Sequence, residues 1–382
     1  MKVEFYKHNI GQQEKQKVLE CLNGIFITTG SYVKEFEQKF AAYLNLDYSV
    51  GLTSCTAALH LSLLALGIGT GDEVITTPMT FIATATAIMH TGAKPVFVDV
   101  EPTTALLDAN KIEGAITERT KAIIPVHIYG QMVDMKKVKK IADKYNLRIV
   151  EDAAHCIEGE RDGIRPGQLG DVACFSFYAT KNITSGEGGA IGTNNKELAE
   201  KILMLRQHGM SKEAVDRYSG NYQHWDMLEC GWKYNMDNIQ ASLLLPQLAR
   251  IDLTLEKRKQ IFEKYIKYFQ GVRKIEVTEI APKTKSAFHL FTILVDKTKR
   301  DFLLKELGRA GIGVAVNYRA IHLLSYFRKR FGFVVGDFPV AEDIGQRTIS
   351  LPFYPKLRDR EISYVANTTI DILQKGKSND GL

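Results

Sequence analysis

The stretch RIVEDAAH, residues 148–155, is an apolar run that ends in two adjacent carboxylates. Similar apolar runs precede and follow it, and segments with helical spacing separate them. The predicted strands are 48–52, 73–78, 94–100, 121–128, 147–153, 171–177 and 188–193. Because the runs are continuously apolar and alternate with helical segments, they predict a mainly parallel sheet that is covered on both faces. The fold class is therefore α/β.

The pattern changes after this region. Apolar residues recur at helical spacing over 237–270 and predict one long helix that is kinked at Pro246. A strand, a helix and a second strand follow in that order, at 287–296, 300–311 and 312–318. We therefore expect a large α/β domain over residues 1–250 and a smaller α+β domain over residues 251–382.

The composition excludes several classes of protein. The chain has 382 residues, of which 45% are hydrophobic and 25% charged, as in a soluble globular protein. No apolar run is long enough for a membrane span, and residues 1–16 lack the apolar stretch of a secretory signal. The net charge of +6 is spread along the chain without a tract for nucleic acid. Five cysteines without CxxC spacing predict a reduced, cytoplasmic protein with no metal site.

The first candidate binding element is TSCTAAL, residues 53–59, which follows a predicted strand and opens a helix. The backbone N–H groups of a helix N-terminus, with the hydroxyls of Ser54 and Thr56, would bind a phosphate. An ordinary helix N-cap explains the same residues. The segment lacks the glycines of a dinucleotide-binding turn, which disfavours a dehydrogenase.

The second candidate is the end of the 148–155 stretch. A half-buried carboxylate at Asp152 needs a cationic partner, and a protonated pyridine nitrogen would serve. His155 would then reach another polar atom of the same ring. A helix N-cap at Asp152 and a surface histidine at position 155 remain alternatives.

The third candidate is SFYATKNITSGEGGAI, residues 176–191. Lys181 follows an apolar strand, where a low-polarity environment would make its amine available for imine formation and proton transfer. Ser176 would add a hydroxyl for a phosphate, and the GEGG turn would let the backbone pass close to a ligand. A solvated surface lysine is the alternative.

Taken in order, TSCTAAL, TFIATA, EDAAH, SFYATKNITSGEGG and GWKYNMDNIQASL resemble the motifs of the DegT/StrS-type sugar-nucleotide aminotransferases. These are fold type I enzymes that use pyridoxal 5'-phosphate (PLP). The resemblance extends from ITTG, at residues 27–30, to SLPFYP, at residues 350–355. It implies a PLP-dependent transferase with a large domain built on a mainly parallel sheet and a smaller C-terminal domain.

The resemblance also implies the reaction. An amino acid, with L-glutamate as the expected donor, would convert the cofactor to pyridoxamine phosphate, and a keto carbon of a nucleotide-linked sugar would accept the amine. Enzymes of this superfamily that dehydrate keto sugars have a histidine where this chain has Lys181, which favours amino transfer. Transfer to C4 is the expected reaction, and transfer to C3 or dehydration is the alternative.

Individual residues receive roles from the same resemblance. Lys181 would bond to the cofactor aldehyde, Asp152 would pair with the pyridine nitrogen, and His155 would lie near the phenolic oxygen. Phe81 would stack on the cofactor ring. Asn235 would reach the phosphate from the neighbouring subunit, which implies a homodimer with shared active sites. The residues that would hold the phosphate within one chain are Ser54, Cys55, Thr56, Ala57 and Ser176.

Substrate recognition is expected from two segments. Residues 316–332 combine basic and aromatic side chains and resemble the matching segment of enzymes that act on 4-keto sugar nucleotides, including the 4-amino-4-deoxy-arabinose type. The candidates there are Arg319, His322 and Tyr326, the last two spaced by one helical turn. Thr28 and Thr29 fit a turn that would reach the sugar. A solvated amphipathic helix and a solvated turn are the alternatives for the two segments.

Overall fold

A seven-stranded sheet lies at the centre of the structure, a computed structural model that describes residues 1–211 and 224–375. The strands of the chain are β1 (Tyr48–Leu52), β2 (Glu73–Thr76), β3 (Lys94–Phe97), β4 (Thr120–Ile123), β5 (Arg148–Asp152), β6 (Glu160–Arg161), β7 (Val172–Ser176), β8 (Gly189–Thr193), β9 (Glu276–Val277), β10 (Thr284–Lys285), β11 (Phe291–Leu294) and β12 (Thr348–Leu351). The central sheet has the order β1-β8-β7-β5-β4-β2-β3. Its strands are parallel from β7 to β3, while β8 is antiparallel to both of its neighbours. The expected mainly parallel α/β fold is thus confirmed.

Helices pack on both faces of this sheet and around the C-terminal part of the chain. They are α1 (Gln12–Leu22), α2 (Ser31–Leu44), α3 (Cys55–Ala65), α4 (Ile82–His90), α5 (Met135–Tyr145), α6 (Lys196–Leu205), α7 (Asn238–Ala249), α8 (Ile251–Phe269), α9 (Lys297–Arg309), α10 (Ser325–Phe331), α11 (Pro339–Arg347) and α12 (Asp359–Lys375). Short 3-10 turns connect some of them, among them the turn at Ile321–Leu323.

Consecutive residues of the central strands enter two different hydrophobic cores. One core contains Ile75, Ile123 and Ile149 and is covered by side chains of α2, α5 and α7. The other contains Val74, Ala122 and Val150 and is covered by side chains of α3, α4 and α6. Because both faces are buried, consecutive residues in the middle of these strands are apolar, which explains their continuous rather than alternating sequence pattern.

The expected single helix over 237–270 is wrong, because two helices, α7 and α8, meet at Arg250. Pro246 lies inside α7 and does not mark the break. The Arg250 guanidinium instead donates hydrogen bonds to Glu14 and to the carbonyl of Asn9. A tertiary contact therefore fixes the position of the break, and the proline does not.

A three-stranded antiparallel sheet, in the order β12-β11-β9, supports the C-terminal part of the chain. Its core includes side chains of α8, α9 and α12, and Val3 from the N-terminal segment packs into it. The strand expected over 312–318 is not formed there. Only isolated bridges occur, from Ile312 to Val3 and from Ala315 to Ser350. The division into domains at residue 251 stays a prediction.

Within residues 1–211 and 224–375, none of the helices combines the length and the apolar character that crossing a bilayer requires.

Candidate active site

A cavity of about 530 Å³ lies where β5 and β7 end, next to the N-terminus of α3. Carboxyl ends of parallel strands are the usual place for a ligand in an open α/β sheet. The structure brings most of the expected cofactor residues together here. Those that line the cavity are Ser54, Cys55, Thr56, Phe81, Asp152, His155, Ser176 and Lys181.

Asp152 is the last residue of β5 and is only 6% exposed. Its Oδ2 accepts a hydrogen bond of 2.7 Å from the Thr84 hydroxyl, and its Oδ1 accepts one of 3.2 Å from the backbone N–H of Ala154. Burial nevertheless raises the pKa of Asp152 above its ordinary value. A carboxylate held in this way gains most from a cation brought into the cavity, because the cation would offset the desolvation of its charge.

His155 lies in the same cavity with its two ring nitrogens in different environments. Nδ1 is 3.3 Å from the backbone N–H of Tyr129 and accepts from it, so the proton of the neutral ring is on Nε2. Nε2 is 3.2 Å from the hydroxyl of Tyr318. Burial, and in addition the charge of Lys181, lower the pKa of His155 well below its ordinary value. His155 is therefore a neutral hydrogen-bond donor, not a surface histidine.

Lys181 follows β7 in a turn, where its backbone N–H donates to the carbonyl of Tyr178. Its side chain is partly buried, and burial lowers its pKa to about 8, against the opposing effects of Cys55 and Asp152. A substantial fraction of the amine is therefore uncharged at mildly alkaline pH. That property suits a lysine that forms an imine and carries protons.

The N-terminus of α3 supports both interpretations of TSCTAAL. Ser54 is the N-cap, and its Oγ accepts from the backbone N–H of Ala57 at 3.0 Å. The hydroxyl hydrogen of Ser54 and the N–H groups of Cys55 and Thr56, which precede the first turn's hydrogen bonds, can still face an anion. The N–H of Ala57 is already used, which argues against Ala57 as a phosphate ligand.

Gly189, the first residue of β8, lets this strand pass directly behind the phosphate turn. A methyl group at position 189 would overlap the backbone of Ser54 and Cys55. Steric contact with the phosphate turn therefore explains the glycine at position 189 of the GEGG motif. Gly188, the preceding residue, lies at the cavity wall, and the helix N-terminus stays undisturbed.

Phe81 is the residue before α4 and is 55% exposed at the cavity. Its ring centroid lies 5.8 Å from that of Tyr318. The two rings border the same opening, so a flat aromatic ligand that enters the cavity would meet the Phe81 ring.

The structure does not bring the remaining predicted residues to the cavity. Among the residues that the structure describes, those outside its lining are Thr28, Thr29, Ala57, Asn235, Arg319, His322 and Tyr326. Asn235 donates to the Thr29 hydroxyl at 2.6 Å, and Thr28 is exposed. Arg319 is also exposed, next to Tyr318.

His322 and Tyr326 do not share one helical face. His322 lies in a 3-10 turn before α10, is fully buried, and has its Nε2 3.0 Å from Glu342. Tyr326 is on α10 and is 60% exposed. The expected substrate contact of His322 is therefore not supported, because its ring is used in an internal pair with Glu342.

Some residues at the site were not singled out from the sequence. Thr84 bonds to Asp152, Tyr318 reaches His155, and Phe5 lines the cavity. Thr84 lies in the TFIATA motif, and Tyr318 lies in the segment 316–332, so both had a sequence signal. Phe5 had none, since nothing near residue 5 marks it as part of a site.

These residues fit PLP by their own chemistry. Asp152 offers a buried anion, Lys181 offers an amine with a lowered pKa, and the N-terminus of α3 offers backbone donors for a phosphate. The exposed ring of Phe81 completes an aromatic wall. The site is built for a flat, cationic aromatic ring that carries a phosphate and an aldehyde.

Comparisons with known proteins agree with this arrangement. Residues 8–369 match the sequence profile of the DegT/DnrJ/EryC1/StrS aminotransferase family. The spore coat polysaccharide biosynthesis protein SpsC of Bacillus subtilis is 41% identical over 371 residues, which cover 96% of this chain and 95% of that protein.

Solved structures extend the likeness to the fold. The PMP-form of Spr1654 from Streptococcus pneumoniae has a TM-score of 0.93 at 32% identity and covers 98% of this chain and 99% of that chain. Helicobacter pylori PseC, an aminotransferase involved in the biosynthesis of pseudoaminic acid, has a TM-score of 0.92 at 28% identity and covers 98% of this chain and 100% of that chain. Spr1654 is also known in a PLP-form.

Fold and site together define a fold type I, PLP-dependent enzyme. The chain belongs to the DegT/DnrJ/EryC1/StrS aminotransferase family. The resemblance found in the sequence is confirmed, and so are the class of enzyme and its cofactor.

Proposed function

We propose that this protein transfers an amino group from L-glutamate to the C4 keto carbon of a nucleotide-linked sugar. The observation that carries the proposal is the presence of Lys181, an amine with a lowered pKa, in one cavity with the buried carboxylate of Asp152. The name of SpsC refers to spore coat polysaccharide, and that of PseC to pseudoaminic acid, which supports a sugar as the acceptor. Cell-surface polysaccharide, including lipopolysaccharide, is the expected destination.

The residues of the cavity divide the work. Bound PLP supplies an electron sink that stabilises negative charge on the carbon next to the transferred nitrogen. Asp152 keeps a positive charge on the ring of the cofactor by pairing with it. Lys181 Nζ would remove a proton from that carbon and deliver it, on the same face, to the other carbon bonded to the transferred nitrogen, because an amine with a pKa of about 8 can both accept and donate a proton.

Two further groups orient the cofactor. The neutral His155 directs its Nε2–H toward the cavity beside Tyr318, where it can donate to the phenolic oxygen of the cofactor. The N-terminus of α3, together with Ser176, binds the phosphate and so fixes the position of the ring relative to Lys181.

The active sites are proposed to be shared in a homodimer. Ile25 and Ile27 are 98% and 51% exposed, in the segment that continues into Thr28 and Thr29. Exposed apolar side chains of this kind favour a protein interface. Asn235, which is bonded to Thr29 in its own chain, would reach the phosphate of the neighbouring subunit across such an interface.

The substrate contacts are proposed to come from the segment that follows Tyr318. Arg319 is exposed next to this cavity residue, and Tyr326 is exposed on α10. The cation of Arg319 suits the pyrophosphate of a nucleotide sugar, and the ring of Tyr326 suits its sugar or base. Thr28 would contact the sugar from the partner subunit. We expect the enzyme to act in the cytoplasm, where nucleotide sugars are made.

A panel assay tests the proposed function. The PLP-loaded protein is incubated with L-glutamate and 4-keto or 3-keto sugars linked to UDP, dTDP or GDP, and the products are analysed by mass and by NMR. A 4-amino sugar is the expected product, and Lys181→Ala should give none. A 3-amino sugar would change the position of transfer, a dehydrated sugar would replace the reaction, and no amination of any sugar would reject the proposal.

A further inference from the structure

A network of buried polar side chains lies next to the cofactor cavity. Its members are Glu158, Asn182 and His289, which are 0%, 7% and 4% exposed. Among the described residues none of the three lines the cavity, and the roles proposed above do not use them. A buried carboxylate is costly unless it has partners, so its contacts indicate what it does.

The contacts fix the direction of every hydrogen bond in this network. Asn182 Nδ2 lies 2.9 Å from both carboxylate oxygens of Glu158 and 2.8 Å from the carbonyl of Ala287, which are all acceptors. The amide oxygen of Asn182 is then left to accept, and it lies 3.1 Å from Nδ1 of His289. His289 must therefore carry its ring proton on Nδ1.

The network reaches the active site in two places, through His289 and through Asn182. The ring of His289 packs on the ring of His155, with centroids 4.2 Å apart and planes inclined by 34°. Asn182 directly follows Lys181, so the same amide also holds the turn that carries the reactive amine. Burial lowers the pKa of His289 well below its ordinary value, which keeps the ring against His155 neutral.

The surroundings of Glu158 decide how strongly it acts. Burial has the largest effect on the pKa of Glu158 and raises it to about 7. The hydrogen bond from Asn182 and the charge of Arg258, itself 2% exposed, lower this pKa, whereas the charge of Asp252 raises it. When ionised, Glu158 polarises the Asn182 amide and makes its oxygen a stronger acceptor for His289, since bonds in a buried network reinforce one another.

We infer that Glu158 is a positioning residue of the active site, which holds His289 through Asn182 as the neutral Nδ1–H form against His155 and steadies the turn of Lys181. Its effect on catalysis rests on the proposed function, whereas its effect on the histidines does not. A neutral carboxamide at position 158 would keep the shape of the side chain but lose the charge that orients the network.

NMR of the apoprotein labelled with ¹⁵N in its histidine rings tests the inference directly, at a pH above 8. In the wild type, His289 should show a protonated Nδ1, and a His289→Gln variant assigns its signals. In Glu158→Gln, the His289 signals should move toward those of a mixture of the two neutral forms. His127, whose Nε2 lies 2.8 Å from Glu151 and whose Nδ1 accepts from Val133, is an internal reference that should not move.

Glu263→Gln is the matched control, because it removes a carboxylate from the exposed side of α8. It should leave the signals of His155 and His289 unchanged. If Glu158→Gln does not fold, Asn182→Ser removes the same link and should give the same mixture. A wild-type His289 protonated on Nε2, or an unchanged His289 spectrum in the folded variants, would overturn the inference.

Kinetics connect the network to catalysis. With the nucleotide sugar found in the panel assay, Glu158→Gln should lower kcat about tenfold and leave KM unchanged, because the groups around the cofactor are misplaced while substrate binding is intact. An unaltered kcat would overturn the positioning role. A wild-type enzyme that aminates no sugar would instead reject the proposed function, and the histidine spectra would still decide the inference.

Discussion

At the scale of single residues, the protonation of Lys181 sets when the protein captures its cofactor. Burial lowers its pKa to about 8, so the amine is mostly charged below this pH and mostly uncharged above it. Only the uncharged amine attacks an aldehyde, and capture of PLP by the apoprotein should therefore accelerate between about pH 7 and pH 9 and then level off. Stopped-flow absorbance, with borohydride trapping and peptide mapping, measures this. A midpoint near the value of a solvated lysine, or trapping that persists in Lys181→Ala, would contradict it.

Thr84 supports Asp152 and gives a second prediction. Its hydroxyl is 2.7 Å from the buried carboxylate, and hydrogen bonds to charged groups contribute about 1.5–3 kcal/mol. Thr84→Val removes this bond and should weaken PLP binding at least about tenfold, because the ionised form of Asp152 is less stable without it. Fluorescence titration of the apoprotein gives the affinity. Thr86→Val, one half-turn further along α4, removes a hydroxyl that donates to the Ala83 carbonyl and should leave the affinity unchanged.

Glu158 makes the stability of the protein depend on pH. An acid whose pKa is raised on folding, here to about 7 from 4.5, favours the folded state when protonated and loses that contribution as the pH rises through about 7. Glu158→Gln should therefore have a higher Tm than the wild type at pH 9, and a smaller or no advantage at pH 5. Calorimetry at both pH values tests this. The charged and polar groups that act on the carboxylate, or on which its charge acts, are Tyr43, Cys156, Asn182, Asp252 and Arg258.

The sequence predicts the cofactor residues better than the substrate residues for a physical reason. Asp152 is the last residue of a buried strand and Lys181 lies in the turn that follows another, so the sheet leaves the chain little freedom to place them elsewhere. His322 and Tyr326 were expected on one helical face, but a 3-10 turn ends before α10 begins and turns His322 inward to Glu342. Charge and aromatic content alone do not reveal such a change of helix type.

At the scale of secondary structure elements, the close passage of β8 behind α3 is the most exacting contact of the site. Gly189→Ala would place a methyl group on the backbone of Ser54 and Cys55, so the strand or the helix N-terminus must shift. We expect the variant to fold but to lose affinity for both PLP and inorganic phosphate, as measured by calorimetric titration. Gly308→Ala, at an open position of α9, should retain both affinities. Equal affinities in the two variants would show that the contact is not needed.

Strands were more predictable than helix ends or isolated pairings. Every strand of the central sheet falls within a predicted apolar run or extends one residue beyond it, because burial on both faces requires apolar residues at consecutive positions of each strand. The break at Arg250 depends on Glu14, more than 200 residues away. Segment 312–318 forms isolated bridges instead of a strand, and its partners Val3 and Ser350 are distant in the sequence. Local sequence carries no information about such partners.

At the scale of the whole molecule, the proposed sharing of active sites in a homodimer predicts complementation. Lys181→Ala and Asn235→Ala should each be nearly inactive alone, the first without its amine and the second without its phosphate contact to the partner. If the two variants are mixed and allowed to exchange subunits, random pairing should restore about a quarter of the wild-type activity, since half of the dimers are mixed and each has one intact site. Size-exclusion chromatography tests whether the protein is a dimer. Activity that stays at the level of the separate variants after exchange would assign Asn235 to its own subunit.

The path of the N-terminal segment has a consequence for biosynthesis. Val3 is hydrogen-bonded to Gly311 and Gly313, and Phe5, two residues later, forms part of the cavity wall. During translation residues 3–5 leave the ribosome long before residues 311–313 are made, so they lack these partners until then. The wall of the vitamin B6 pocket that contains Phe5 is thus completed only after residue 313 is made, and nascent chains that stall before residue 311 should not retain the coenzyme.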